Sequence, residues 1–367
     1  MAAAAALVAL LLAGCRTALP PDPARIAPLV DSLGDLLLVG FHGTTVDGND
    51  GLQTLLCRAR VGTVLLFGRN VVDAGQVARL TADLRARARV CTGRVPLVAM
   101  DAEGGRVMRL GPDAGYTPTL SAAELGDAND LALTELEALR IGRMLREAGV
   151  DWDLAPVVDV GYNPANPVIV GAGRSFGANP AGVAAHAHAF IRGLRSAGVR
   201  STLKHFPGHG SSYADSHLGF ADVTDTADAG LELLPYRLLL GEGAVESVMT
   251  AHVFNRHLDR RDPATLSRAT LDKVLRGTLG FDGLVVSDDL RMGAIEQQYG
   301  VGAAAVRALA AGVDVLIIAD DRLPDGRSAA AVVLAALREA LADGRLPADR
   351  VASALARLHR FTATSRD

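Results

Sequence analysis

Eight short, strand-like apolar runs alternate with longer stretches whose apolar residues recur at three and four, and this alternation is the strongest constraint on how the chain can fold. The runs are Leu36 to Phe41, Thr63 to Phe67, Pro96 to Asp101, Trp152 to Val160, Arg200 to His205, Ser247 to Val253, Leu284 to Asp288 and Asp314 to Ala319. Helical faces are read over Ala74 to Ala88, Ala128 to Ala148, Pro180 to Ala197, Ser267 to Leu279 and Ser328 to Asp343. Strand and helix in strict alternation imply a parallel sheet with crossover helices. Eight repeats predict a single (β/α)8 TIM-type barrel with a C-terminal helical extension, since no composition break marks a linker between two domains. A doubly wound sheet would carry a glycine-rich phosphate turn after its first strand, and the first run here leads instead into Phe41-His42-Gly43-Thr44.

The residues ahead of the first run divide in two. Residues 1 to 14 form an uncharged apolar stretch, shorter than the roughly 20 residues a membrane span needs, and fit the apolar region of a signal peptide. Leu12-Ala13-Gly14-Cys15 resembles the bacterial lipobox, in which the cysteine is acylated, although no Lys or Arg precedes the apolar stretch. The expected layout is a leader over 1–14, a linker over 15–34 and the barrel over 35–363. The expected location is outside the cytoplasm, with membrane contact only through a lipid on Cys15. Cys57 and Cys91 are then either a disulfide pair or two buried thiols, and without a CxxC spacing they offer no zinc site.

In a barrel of this kind the chemistry gathers at the C-terminal ends of the strands. Those ends carry His42, Arg69, Asp101, Asp159, Lys204 with His205, His252, Asp288 with Asp289, and Asp320. A net charge of −4 and an aromatic content of 4% exclude a nucleic-acid platform. Asp101 is followed by Glu103, a double glycine, Arg106 and Arg109. A carboxylate there can accept hydrogen bonds from vicinal hydroxyls, the arginines can hold an anion in a fork, and the glycines allow backbone to approach a ligand. Glu103 reads as a structural ion pair.

The fifth run continues as Lys204-His205-Phe206-Pro207-Gly208-His209-Gly210 and then Asp215-Ser216-His217. His205 and His209 have the spacing of helical metal ligands, but Pro207 and Gly208 break the helix that such a site requires, so no metal is expected. In an extended segment Asp215 and His217 would share a face, letting the carboxylate orient an imidazole able to give and take a proton near neutrality. Asp288 and Asp289 cannot both face inward along a regular strand; one is expected to attack and the other to support.

These motifs, with Asn166-Pro167-Val168, Gly173-Arg174-Ser175-Phe176-Gly177, Phe67-Gly68-Arg69-Asn70 and Pro263-Ala264-Thr265-Leu266-Ser267, resemble glycoside hydrolase family 3 from about Leu36 to Ala319. More narrowly they are similar to the bacterial β-N-acetylhexosaminidases, or β-N-acetylglucosaminidases. The segment Ile169 to Arg174 is looser than the family's usual turn. The resemblance implies Asp288 as nucleophile, His217 as general acid/base and Asp215 as its partner. It also implies that Asp101, Arg109, Arg174, Lys204 and His205 hold an N-acetylglucosamine ring, with no cofactor.

The reaction so implied is removal of terminal non-reducing β-linked N-acetylglucosamine from peptidoglycan fragments or chito-oligosaccharides, with retention and through a glycosyl-enzyme. Phosphorolysis is an alternative, because an imidazole in place of a second carboxylate repels phosphate less. A β-glucosidase of the same family usually carries a second domain after the barrel, for which little chain remains. A non-catalytic glycan-binding lipoprotein would need neither Asp288 nor His217.

Overall fold

The structure is a computed structural model that describes residues 23–363; the leader and Cys15 lie outside the described residues. Eight parallel strands form one sheet: β1 (Leu37–Gly40), β2 (Thr63–Leu66), β3 (Leu97–Met100), β4 (Trp152–Asp153), β5 (Leu203–Phe206), β6 (Ser247–Thr250), β7 (Leu284–Asp289) and β8 (Val315–Ile318). Their order is β4-β3-β2-β1-β8-β7-β6-β5, so β1 and β8 are neighbours at the centre, in register from Leu37 with Leu316. The sheet curls until its edges approach: Trp152 bridges Arg200, Val157 bridges Lys204, and the N–H groups of Asp153 and Val158 each donate at 2.8 Å to the carbonyls of Arg200 and Lys204. Each strand is followed by helix, which makes this an α/β fold with a curled parallel sheet.

Three elements differ from expectation. The fourth run yields only Trp152–Asp153 as strand, because Pro156 has no N–H to extend the ladder and the chain beyond it is used in the loops. The helix expected over Ala128 to Ala148 is two helices, Ala122–Ala128 and Leu131–Glu147. Asn129 between them is left-handed at φ 48°, and Asp130 starts the second helix by accepting from the N–H groups of Ala132 and Leu133. From Pro23 the stretch expected as a linker is helical over Pro23–Asp31, and Leu33 after it is fully buried.

The strand N-terminal end is closed by the last helix, Ala348–Ala363. The Phe361 ring lies tilted against the buried Trp152 with centroids 4.7 Å apart, and its carbonyl accepts from the Arg200 guanidinium at 2.9 Å. Asp314, fully buried at the start of β8, receives Arg350 from that helix at 2.6 Å and Arg276 at 2.9 Å.

Cys57 and Cys91 are joined in a disulfide, which ties the helical turn after β1 to the C-terminal end of helix Ala74–Thr92. Closing a loop of 34 residues restricts the unfolded chain by about 3 to 4 kcal/mol in the chain-entropy account. The double variant Cys57→Ser/Cys91→Ser is expected to lose up to that much stability in urea unfolding while keeping its activity at 25 °C, since the bridge lies at the end opposite the strand C-termini. Unchanged stability would show that the bridge does not constrain the unfolded chain.

Candidate active site

At the C-terminal ends of the strands lies a cavity of about 430 Å³. Asp101, Arg109, Arg174, Lys204, His205, Asp215, His217 and Asp288 all line it, so the structure brings together the residues to which the resemblance gives catalytic and ring-binding roles. A larger cavity, about 590 Å³, opens at the other end between Asp35, Arg94, Asp151 and Arg200. Arg94 there is paired with Asp35, and Asp151 with Arg85, and no strand C-terminus reaches it.

The floor of the site is a buried ion-pair network. The Lys204 ammonium, on β5 and 2% exposed, lies 2.9 Å from Asp101 Oδ1 and 2.6 Å from Glu103 Oε1. Arg174 forks onto Glu103, with Nε to Oε2 at 2.8 Å and the terminal nitrogen to Oε1 at 2.7 Å. Arg109 reaches Asp101 Oδ2 at 3.4 Å. Burial alone would raise Asp101 and Glu103, but the cations beside them outweigh it and hold both carboxyls below their usual range. Burial likewise opposes the charge on Lys204, and the two carboxylates reverse that and keep it protonated.

Glu103 is thus the structural ion pair expected, and it is the anchor that fixes Arg174 after the loose segment Ile169 to Arg174. The double glycine serves a different end from the one expected. A Cβ on Gly104, at φ +92°, would stand 2.2 Å from the Leu120 carbonyl oxygen, and one on Gly105 2.5 Å from the Ser121 Cβ. The close approach is to the protein's own backbone, which presses the strap carrying Asp101 and Glu103 onto the following helix.

On β7 the expected alternation does not hold: Asp288 and Asp289 both line the cavity, and the pairing with β8 shifts register between Val286 and Asp289, so the two are told apart by their partners. Asp289 Oδ1 accepts from the N–H groups of Ala319 at 2.9 Å and Arg291 at 3.1 Å, tying β7 to the end of β8. Burial, with the Asp288 charge adding to it, pushes Asp289 up to about 6. Asp288 is held lower: burial raises it, but the imidazoles of His252, His205 and His217 and the Asp289 N–H more than compensate. Asp288 is therefore held ionised well below the range in which Asp289 titrates, and both residues line the cavity.

His217 is more than half exposed on the loop after β5, with Nδ1 2.7 Å from Asp215 Oδ1. The pairing is as expected, but the segment is not extended. Asp215 Oδ1 also accepts from the His217 N–H at 2.8 Å and the Leu218 N–H donates to the Asp215 carbonyl at 3.0 Å, so the dyad sits in a tight turn capped by its own carboxylate. That arrangement leaves Nε2 free of the carboxylate and able to exchange a proton with a ligand.

His205 and His209 turn to separate partners, Asp159 and Ser216, with ring centroids 6.1 Å apart. Asp159 Oδ2 takes His205 Nδ1 at 2.6 Å, which presents Nε2 toward Arg174 at 3.3 Å. His252 bonds the Asp289 carbonyl and the Thr265 hydroxyl, both at 2.8 Å. His42 and Asp320 pair with each other at 3.0 Å on the rim, and Arg69 bonds the carbonyls of Phe41 and Ala319. Sequence reasoning gave no part to Asp153, His209, Ser216 or Glu232. Asp153 is fully buried, accepts from the Ala102 N–H at 3.0 Å, and is raised well above the usual range by burial.

Glu232, 4% exposed, lies under the loop after β5, with Oε1 accepting from the Tyr162 hydroxyl at 3.1 Å and the Ser211 N–H at 3.3 Å. Burial pushes it up to about 7, above its ordinary 4.5. A raised carboxyl favours folding in its protonated form, so the contribution is complete below about pH 4.5 and is lost as pH rises to about 7. Glu232→Gln is therefore expected to gain about 3 kcal/mol relative to the wild type between pH 4.5 and 8, read by urea unfolding at the two ends. Parallel stability curves for the two proteins would refute this.

Comparison with known proteins followed the same outline. The model of the glycosyl hydrolase family 3 N terminal domain matches residues 29–361. A protein described as beta-hexosaminidase LpqI from Mycobacterium tuberculosis is 38% identical over 346 residues, which span 92% of this chain and 83% of the relative. A glycoside hydrolase family 3 beta-N-acetylglucosaminidase from Paenibacillus superposes with a TM-score of 0.84 at 36% identity, over 92% of this chain and 62% of that one. A beta-N-acetylhexosaminidase from Beutenbergia cavernae does so with a TM-score of 0.80 at 32% identity, over 92% of this chain and 98% of the other.

Proposed function

The chain belongs to glycosyl hydrolase family 3, and from that premise we propose that it is a β-N-acetylhexosaminidase that retains configuration through a covalent intermediate on Asp288. The carrying observation is that an ionised, enclosed aspartate and an exposed, carboxylate-oriented histidine line one cavity with a set of charged side chains fixed by ion pairs. In the first step protonated His217 gives its proton to the glycosidic oxygen while Asp288 attacks the anomeric carbon. The bond to the leaving oxygen breaks, leaving an alcohol and a glycosyl ester. In the second step neutral His217 takes a proton from water, the water oxygen attacks the anomeric carbon, and the ester bond breaks to restore Asp288.

Asp101, Arg109, Arg174, Lys204 and His205 are assigned to the N-acetylglucosamine ring. Asp101 retains lone pairs for vicinal hydroxyls beyond its bonds to Lys204 and Arg109, and the His205 Nε2 and Arg174 edges face the cavity. The substrates proposed are peptidoglycan fragments or chito-oligosaccharides ending in β-linked N-acetylglucosamine. We read the curled sheet as a closed (β/α)8 barrel with the last helix as its extension, over residues 35–363. Export and lipidation at Cys15 are proposed from Leu12-Ala13-Gly14-Cys15, and the Cys57–Cys91 disulfide fits an oxidising compartment.

Turnover of 4-nitrophenyl N-acetyl-β-glucosaminide, and little of the plain β-glucoside, is expected of the wild type. His217→Ala should lower kcat/KM by about 10²- to 10⁴-fold, and Asp288→Asn should abolish turnover. The first-formed sugar should be the β-anomer by NMR; an α-anomer would exclude the covalent route, and preference for the glucoside would reassign the substrate. Absence of turnover on both would favour glycan binding alone. Phosphorolysis is favoured by one observation, that the Asp101 and Glu103 charges are matched by Lys204, Arg109 and Arg174. Sugar 1-phosphate formed at high phosphate would establish it, and free sugar alone would remove it.

A further inference from the structure

We infer that Ser216 and His209 form a positioning pair that holds the Asp215–His217 dyad over the cavity, an inference that rests on the acid/base role given to His217. Asp215 orients the His217 ring only relative to their own turn, because both residues and the Leu218 N–H bond that closes the turn belong to the same few residues. The dyad moves as one body, so its placement over Asp288 must come from a contact outside the turn.

Ser216, between the two, points the opposite way. It is 1% exposed, whereas Tyr213 and Leu218 on either side are 68% and 77% exposed. Its hydroxyl lies 2.9 Å from His209 Nε2. His209 is itself 2% exposed, and among the described residues its Nδ1 has no partner, so the bond to Ser216 is the polar contact its ring makes. A buried imidazole with a single hydrogen bond is a costly residue to enclose unless that bond matters. Burial lowers the His209 pKa and keeps the ring neutral.

The root of His209 is equally fixed. Its N–H donates at 2.8 Å to Asp159 Oδ1, and Asp159 Oδ2 holds His205. A continuous set of contacts thus runs from the ring-holding His205 through Asp159, His209 and Ser216 to the dyad. A second attachment reaches the same turn from β7. The Gly293 N–H donates to the His217 carbonyl at 3.1 Å and the Ala294 N–H to the Ser216 carbonyl at 3.3 Å, just beyond Asp288 and Asp289. A Cβ at Gly293 would stand 2.7 Å from the Leu218 carbonyl oxygen, so a side chain there must displace the loop.

The test separates positioning of the acid from general damage by changing the leaving group. Phenyl N-acetyl-β-glucosaminide needs protonation of its leaving oxygen, and the 2,4-dinitrophenyl glycoside does not. Ser216→Ala is expected to lower kcat/KM for the phenyl substrate by about tenfold or more, within the range a general acid supplies, and to leave the dinitrophenyl substrate within about twofold. Ser216→Thr, which keeps the hydroxyl, restores the phenyl activity. His209→Phe, which removes the other partner of the same bond, shows the same split and decides the matter if Ser216→Ala does not fold. Equal losses on both substrates, or no loss on either, would overturn the positioning role. Wild-type protein that releases neither phenol would instead sink the glycosidase reading itself.

Discussion

Lys204 is the group on which the site is built. An ammonium with almost no solvent contact is stable only because Asp101 and Glu103 meet it at hydrogen-bond distance, and Glu103 is in turn forked by Arg174. Removing these charges from water costs several kcal/mol each, and apolar residues of the same volume could well pack here at no loss of stability. The network is better understood as a device for order. Each charge has one geometry in which its partners are satisfied, so the strap carrying Asp101, the end of β5 and the loop carrying Arg174 are locked to one another. The rigid glycine contacts to Leu120 and Ser121 make the same strap immovable from behind. A polar ligand then meets groups that need no rearrangement, which is where electrostatic preorganisation is most effective.

The carboxyls around this network are sorted by environment rather than by sequence. Asp288 and Asp289 are adjacent, yet burial with backbone donors alone leaves Asp289 near 6, while three imidazoles hold Asp288 ionised. Asp153, on β4 beneath Lys204, faces only one backbone donor and is driven upward. Burial and neighbouring charges thus push the titration of carboxyls of one kind apart within a single cavity.

Much of this was legible in the sequence, because the alternation of strand and helix implies a parallel sheet, and the titratable residues sit at the C-terminal ends of its strands. The facing of Asp288 and Asp289 was not legible from strand alternation, because the ladder to β8 shifts register there and both line the cavity. What escaped was set by tertiary contacts. Pro156 cut β4 short inside a run whose composition is that of a strand. The turn at Asp215 is chosen by a side chain capping its own backbone, which an alternating pattern cannot distinguish from an extended segment. Gly104 and Gly105 look like ligand-facing glycines until the Leu120 backbone is placed against them. The pairing of Cys57 with Cys91 depends on the approach of two helix ends, which spacing leaves open. Glu232 and His209 carried a weaker signal: each is polar within an otherwise buried setting, and burial becomes visible only in three dimensions.

The proposed nucleophile and the proposed acid are held by opposite strategies. Asp288 is part of a strand and is fixed by the sheet, by Asp289 and by the end of β8, so its position is a property of the core. His217 is on an exposed turn, and no core packing can place it. Proton transfer is sensitive to displacements of well under an ångström, so such a turn needs discrete ties. It has them on both flanks, through the Ser216 hydroxyl to His209 and through main-chain carbonyls to Gly293 and Ala294. The second set begins the helix Gly293–Tyr299, a few residues beyond Asp288, so the separation of His217 from Asp288 is referred to one continuous segment, while Tyr213 and Leu218 at the outer edge of the turn stay open to solvent.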